Sequence, residues 1–347
     1  MWPHDVRAET DRAIGMWLFS VAGMVAIMVV IGGITRLTGS GLSMVEWRPL
    51  IGWLPPLSEE AWLRAFALYQ NSPEYLKVNA WMGLDDFRQI FWWEYVHRLW
   101  GRLIGLAFVI PFAWLLISGR VRASLIPRLL ILFVLGGLQG AVGWWMVKSG
   151  LVDDPAVSQY RLTAHLGIAF LILGALLWTG LSLASREGCA VPRTFYRHAL
   201  LVMVLVSVTV LVGAMVAGMH AGMIYNTFPL MAGGLLPPDY ANLSPLWLNA
   251  LENPAAIQFH HRVMAVVTVV IVMALLFRVA RSDLPPQRRL PAHALAGAVL
   301  VQAALGITTL LFVVPIDLAA AHQAGAVGLF AVSIWVVHEY RGSISAR

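Results

Sequence analysis

The stretch from Ala199 to His220 reads ALLVMVLVSVTVLVGAMVAGMH and holds no Asp, Glu, Lys or Arg. As a helix rising 1.5 Å per residue it is about 33 Å long, enough to cross a hydrocarbon core of about 30 Å. With no water to bond the backbone, a run this long and apolar reads as a spanning helix rather than a barrel strand. Seven similar runs lie at about 14–34, 96–117, 129–148, 163–184, 261–281, 294–314 and 323–340. Composition agrees: of 347 residues 59% are hydrophobic and 12% charged, against roughly 25% charged in soluble domains, and the mean hydropathy is +0.74. The expected fold is an all-α integral membrane protein with eight transmembrane helices. The first run does not read as a cleaved signal peptide, because Gly32-Gly33-Ile34-Thr35-Arg36 follows it in place of a small-x-small site.

The formal net charge of +6 is spread over separate loops, which suits membrane topology rather than nucleic-acid binding. Arg120, Arg122 and Arg128 separate spans two and three; Arg186, Arg193 and Arg197 separate four and five; Arg278, Arg281, Arg288 and Arg289 separate six and seven. The alternate connections 150–160, 222–259 and 315–321 contain no Lys or Arg. The positive-inside rule then puts both termini in the cytoplasm of a bacterial inner membrane. Cys189 is the only cysteine, so an internal disulfide, a Cys₄ cluster and a CxxCH heme attachment are excluded, and any heme is held non-covalently.

The chain repeats itself. Trp92-Trp93-Glu94-Tyr95-Val96-His97-Arg98 aligns with Ala256-Ile257-Gln258-Phe259-His260-His261-Arg262, placing Glu94 opposite Gln258. Gln139-Gly140-Ala141-Val142-Gly143 aligns with Gln302-Ala303-Ala304-Leu305-Gly306. The offsets are 164 and 163 residues, and two matches at nearly one offset argue for duplication. Two pseudo-symmetric four-helix bundles follow, from residues 1–190 and 191–347. Four spans per half is an even number, so the pseudo-symmetry axis runs along the membrane normal.

His97, His165, His261 and His322 each fall at the start of an even-numbered span and so at similar shallow depth near the outer face. Ionisable residues in spans are costly and usually functional. Two facing histidines from two helices of a bundle suit axial ligation of a porphyrin. Packing histidines are the alternative, and a zinc or copper site is disfavoured because no acid or thiol joins either pair. Glu94, three residues before His97 on one helix face, reads either as an acid/base beside a heme edge or as an interfacial acid paired with Arg98 or Arg102. Arg98, Arg161 and Arg262 adjoin the histidine motifs, as snorkelling anchors or as forks for heme propionates. His4, His198, His293 and His338 read as solvated or headgroup-facing residues at the inner surface. The loop 35–93 reads as a cap over the outer mouth, with an interfacial helix near Glu59–Tyr69.

These segments resemble the heme A synthase (heme O oxidase) family of proteobacterial and mitochondrial type. The resemblance rests on Gly33-Ile34-Thr35-Arg36-Leu37-Thr38-Gly39-Ser40-Gly41-Leu42-Ser43, Glu94-Tyr95-Val96-His97-Arg98, Gly143-Trp144-Trp145-Met146-Val147-Lys148-Ser149-Gly150-Leu151, Tyr160-Arg161-Leu162-Thr163-Ala164-His165, Tyr225-Asn226-Thr227-Phe228-Pro229-Leu230-Met231, Phe259-His260-His261-Arg262 and Ala321-His322-Gln323. The cysteine pair that some bacterial members carry in the first outer loop is absent. The resemblance implies oxidation of the C8 methyl of heme O to a formyl group by successive hydroxylations. It implies a resident heme b on His261 and His322, and heme O as substrate at His97 and His165. A six-coordinate substrate iron cannot bind O₂, so oxygen activation there requires one of His97 and His165 to leave. The partners it implies are heme O, membrane lipid and an electron donor of unassigned identity; contact with the heme O-producing farnesyltransferase and self-association stay open. The alternative reading is a diheme b-type membrane electron carrier, which needs the same histidines but not Glu94.

Overall fold

The structure, a computed structural model, describes residues 4–47, 52–152, 155–184 and 191–341. Cys189 and Arg186 lie outside the described residues. The chain order is α1 (His4–Leu37), α2 (Glu59–Gln70), a π turn Tyr75–Asn79, α3 (Leu84–Ile117), α4 (Ile126–Gly150), α5 (Gln159–Ala184), α6 (Arg193–Gly218), α7 (Asn249–Glu252), α8 (Pro254–Ala280), α9 (Pro286–Leu311) and α10 (Ile316–Tyr340). Eight of these are long and apolar enough to span a membrane: α1, α3, α4, α5, α6, α8, α9 and α10.

The helices outrun the apolar runs that announced them. α3 begins at Leu84 rather than near 96, because Asp86 accepts from the Gly83 N–H at 3.0 Å and the aromatic stretch after it packs instead of ending. α8 begins at Pro254, whose missing N–H suits the first helical position, while Asn253 caps the N–H groups of Ala255 and Ala256. The four histidines therefore lie one to four turns inside their helices rather than at their starts.

The described chain forms two compact units, and the division falls within α1 and α5. One unit comprises Gly23–Ile172. The segment between α1 and α3 forms a core of its own with the start of α3: Tyr69, Phe87, Ile90, Phe91 and Tyr95 are buried, with Trp62 of α2 edge-on to Phe91 at 4.9 Å. A helix does form where one was expected near Glu59–Tyr69: α2, begun by a Ser58 cap on Ala61 N–H. Glu74 is also buried there, accepting from the Tyr69 hydroxyl at 3.2 Å, and Asn79 donates to that hydroxyl at 2.8 Å. Burial, more than the nearby negative charge of Glu94, lifts the Glu74 carboxyl to about 7, against a smaller lowering by Tyr69.

The other unit takes the chain up to Ala22 and from Leu173 onward. Within it α6 packs on α8, α8 on α9, α9 on α10 and α10 on α6, a closed ring of four helices. Their polar side chains bond inward to the backbone. The Thr209 and Thr268 hydroxyls each donate to a carbonyl one turn earlier at 2.7 Å, which removes the cost of bare hydroxyls in an apolar layer. His198 and His338 are partly buried and have polar or aromatic partners. His198 lies 3.0 Å from the Ile271 carbonyl and 3.0 Å from Arg278, and His338 sits edge-on to Trp178 and 3.3 Å from Ser182. Each is drawn in because a neighbouring helix offers its ring a polar partner.

Candidate functional site

Each of the four histidines lies against a glycine of a neighbouring helix. A methyl group on Gly143 of α4 would lie 2.8 Å from Cε1 of His165 on α5; one on Gly306 of α9 would lie 2.8 Å from Cε1 of His322 on α10. Gly213 of α6 stands in the same relation to His261 of α8 at 2.9 Å, and Gly32 of α1 approaches Nε2 of His97 on α3 at 3.1 Å. A Cβ essentially never sits as close as 2.9 Å, so the absent side chains at Gly143, Gly306 and Gly213 let imidazole rings lie flush on the facing helices.

Glutamine completes the pattern. Gln139, one turn before Gly143, lies 3.4 Å from His165 Nε2. Gln302, one turn before Gly306, lies 3.1 Å from His322 Nδ1 and also donates to the His322 carbonyl at 3.0 Å. The i, i+4 spacing puts amide and glycine on one helix face. Such contacts fix the orientation of a ligating imidazole.

The rings of His261 and His322 face each other with centroids 6.5 Å apart and planes at 89°. That separation leaves room for one ion between the two rings. The Nδ1 atoms of His165 and His261 are buried without a hydrogen-bond partner among the described residues. Among those residues no group of three or more His, Cys, Asp or Glu could hold a metal ion. A pair of axial nitrogens with no equatorial protein donors suits a metal that brings its own equatorial ring, as a porphyrin does. The residues present fit a heme.

Glu94 and Gln258 each fasten a connecting loop, in opposite senses. Glu94, almost wholly buried, accepts from the Ser43 hydroxyl and the Met44 N–H, both at 2.7 Å, and from Arg98 at 2.5 Å. Gln258, equally buried, donates to the carbonyls of Ala221 (2.8 Å) and Ile224 (2.5 Å) and accepts from Arg262 at 3.1 Å. The first loop presents donors and meets a carboxylate; the second presents carbonyls and meets an amide.

Arg98 and Arg262, by contrast, act alike, each holding its loop through backbone carbonyls. Arg98 also donates to the carbonyls of Met44 and Glu46, and Arg262 to those of Tyr225 and Thr227. Arg161 instead stacks over Trp145 at 4.5 Å, one turn before His165. His260 turns away from its neighbour and lies 2.9 Å from the Tyr240 hydroxyl.

Sequence reasoning found the histidines and the glutamine–glycine echo but not the purpose of the echo. It missed Gly32, Gly213, Ser43 and the carbonyls of the second loop. The one available signal was the Gln-to-Gly spacing of four residues, which places both on a single face.

Comparison with known proteins fits this geometry. Residues 15–334 match the model of a family described as cytochrome oxidase assembly protein. The heme A synthase of Parvibaculum lavamentivorans is 48% identical over 327 residues, 94% of each chain. That of Nitrosospira multiformis is 47% identical over 341 residues, covering 97% of this chain and 96% of its own. That of Rhodospirillum centenum is 48% identical over 336 residues, covering 96% and 90%.

Proposed function

The chain belongs to the cytochrome oxidase assembly protein family, and from that footing we propose that it makes heme A by oxidising heme O. It is a multi-pass membrane oxidoreductase. One observation supports this reading most: two histidines set to sandwich an iron, each ring seated on a glycine, with a second histidine pair cradled in the same way.

The proposed division of labour follows the two halves, 1–190 and 191–347. His261 and His322 hold a resident heme b, which supplies one-electron transfer when bound. His97 and His165 hold heme O. The methyl carbon passes to an alcohol and then to a geminal diol that loses water to give the formyl group. With O₂ as the oxidant, each hydroxylation puts one oxygen atom into a C–H bond and reduces the other to water, consuming two electrons from the donor and two protons.

Glu94 is the proposed acid/base group for those protons. Its carboxylate stands one helical turn from His97 and is already oriented by Ser43, Met44 and Arg98, so no reorganisation is needed when a proton moves. Arg161, which stacks on Trp145, is proposed to complement the negative edge of the substrate heme, whereas Arg262, like Arg98, is engaged in holding its loop. The site faces the outer side of a bacterial inner membrane, with both termini in the cytoplasm. Heme O and membrane lipid are the partners this reading requires, with an electron donor in addition.

The test is chromatography of hemes from cells that make heme O, with this protein or its Glu94→Ala variant. Heme A is expected only with the intact protein, and a hydroxylated intermediate in the variant. Unchanged heme O with the intact protein, together with a bound b-type spectrum, would favour a diheme electron carrier instead.

A further inference from the structure

Within the Gly23–Ile172 unit a cleft of about 270 Å³ opens between the loop after α1 and the C-terminal end of α4. Its walls are apolar and aromatic, from Val45, Trp47, Trp144 and Leu151, and two cations border it, Arg98 and Lys148. The two cations are not equivalent. Arg98 is spent: it pairs with Glu94 at 2.5 Å and donates to the Met44 and Glu46 carbonyls. Lys148 is exposed, and its ammonium lies over the Trp144 ring at 5.0 Å rather than on a carboxylate of the described residues.

The cleft adjoins the histidine pair through both its helices. Arg98 follows His97 directly. On α4, Gly143 lies against His165, and Val147, one turn further on the same face, lines the cleft. Lys148 lies about 7.5 Å along the helix axis from Gly143. A flat ligand held between His97 and His165 thus has, about one turn outward, a slot with two indole walls and one available ammonium. Heme O is such a ligand: an apolar macrocycle with carboxylates on one edge.

We infer that this cleft receives the carboxylate edge of the substrate heme, with Lys148 as the cation that binds a propionate. Trp47 and Trp144 form the walls, and Arg98 holds the loop that carries Trp47 instead of binding the propionate itself. This rests on the proposed reaction. It adds a specificity residue that selects a heme with free propionates and sets which edge points outward.

The experiment compares kcat/KM for heme O and for its dimethyl ester, using purified protein in nanodiscs of zwitterionic lipid supplied with O₂ and a chemical electron donor, in the parent chain and in Lys148→Gln and Lys148→Arg. A charge-assisted hydrogen bond lost to solvent corresponds to about a tenfold effect. The parent should prefer the diacid about tenfold, through KM. Lys148→Gln should abolish that preference by weakening the diacid alone, and Lys148→Arg should restore most of it. Equal loss on both substrates in Lys148→Gln, or an intact preference, overturns the inference. So does an effect that appears only in nanodiscs containing phosphatidylglycerol, which would assign Lys148 to a lipid headgroup. Failure of the parent chain to convert heme O at all would instead overturn the proposed reaction, and is read before any variant is compared.

Discussion

Glu94 and Gln258 occupy matching places on α3 and α8 and bond in opposite directions, the first accepting from its loop and the second donating to it. The difference of one acid between the two copies thus has a structural cause. Ser43 and Met44 share one Glu94 oxygen and Arg98 takes the other, so Glu94→Gln would turn an amide N–H₂ towards the Arg98 guanidinium that holds the loop; Gln258→Glu would turn a carboxylate towards two carbonyls. Leaving buried groups so mismatched costs about 1–3 kcal/mol each. Hydrogen exchange should show residues 43–46 losing protection in Glu94→Gln, and residues 221–224 in Gln258→Glu, each without change in the other loop.

The glycine cradles set helix propensity against heme binding. Ala at an interior helix position is better than Gly by about 1 kcal/mol. At Gly143, Gly213 and Gly306 the added methyl group would meet a histidine ring at 2.8–2.9 Å. Each Gly→Ala variant at these three positions should therefore fold but bind less heme, read as a lower ratio of Soret to protein absorbance. Gly140→Ala and Gly297→Ala meet nothing within 4 Å and should keep their heme.

Gln139 and Gln302 touch the imidazoles without being ligands. Partners of this kind are worth about 10–100-fold in affinity or activity. Gln302→Leu should shift the midpoint potential of the bound heme and loosen it, while Gln139→Leu should raise KM for heme O and leave that potential unchanged. Identical effects from the two variants would argue against separate sites.

The outer loop should be pH-sensitive through Glu74. Burial raises its carboxyl from the ordinary 4.5 to about 7. The folded loop therefore favours the protonated acid, and the stability this lends is full below about 4.5 and is lost as pH rises through 7. The loss is at most about 3 kcal/mol. Limited proteolysis of the loop should accelerate between pH 5 and pH 8 (about the window set by these two values), and Glu74→Gln should flatten that dependence.

Much of this architecture was legible because its causes are local. A run such as Ala199–His220 can only be a span, and the repeat offset survives in the residues themselves. The N-terminus of α3 was not legible: Asp85, Asp86, Arg88 and Glu94 dilute the apolar signal, although the aromatic cluster around Phe87 and Phe91 holds the helix together. Arg98 could not be separated from a propionate ligand by sequence, because its partners are backbone carbonyls, which every loop possesses. Gly32 and Gly213 were hidden for a related reason. Their role is an absent side chain opposite a ring on another helix, and only tertiary contact displays it.

The most direct measurement is the heme content and product of two double variants, His97→Ala/His165→Ala and His261→Ala/His322→Ala, purified from cells that make heme O. Two sites with different work require that the first variant keep a b-type heme and accumulate no heme A, and that the second lose the b-type spectrum while still binding heme O. Loss of all heme from both variants, or heme A formed without His97 and His165, would contradict the account.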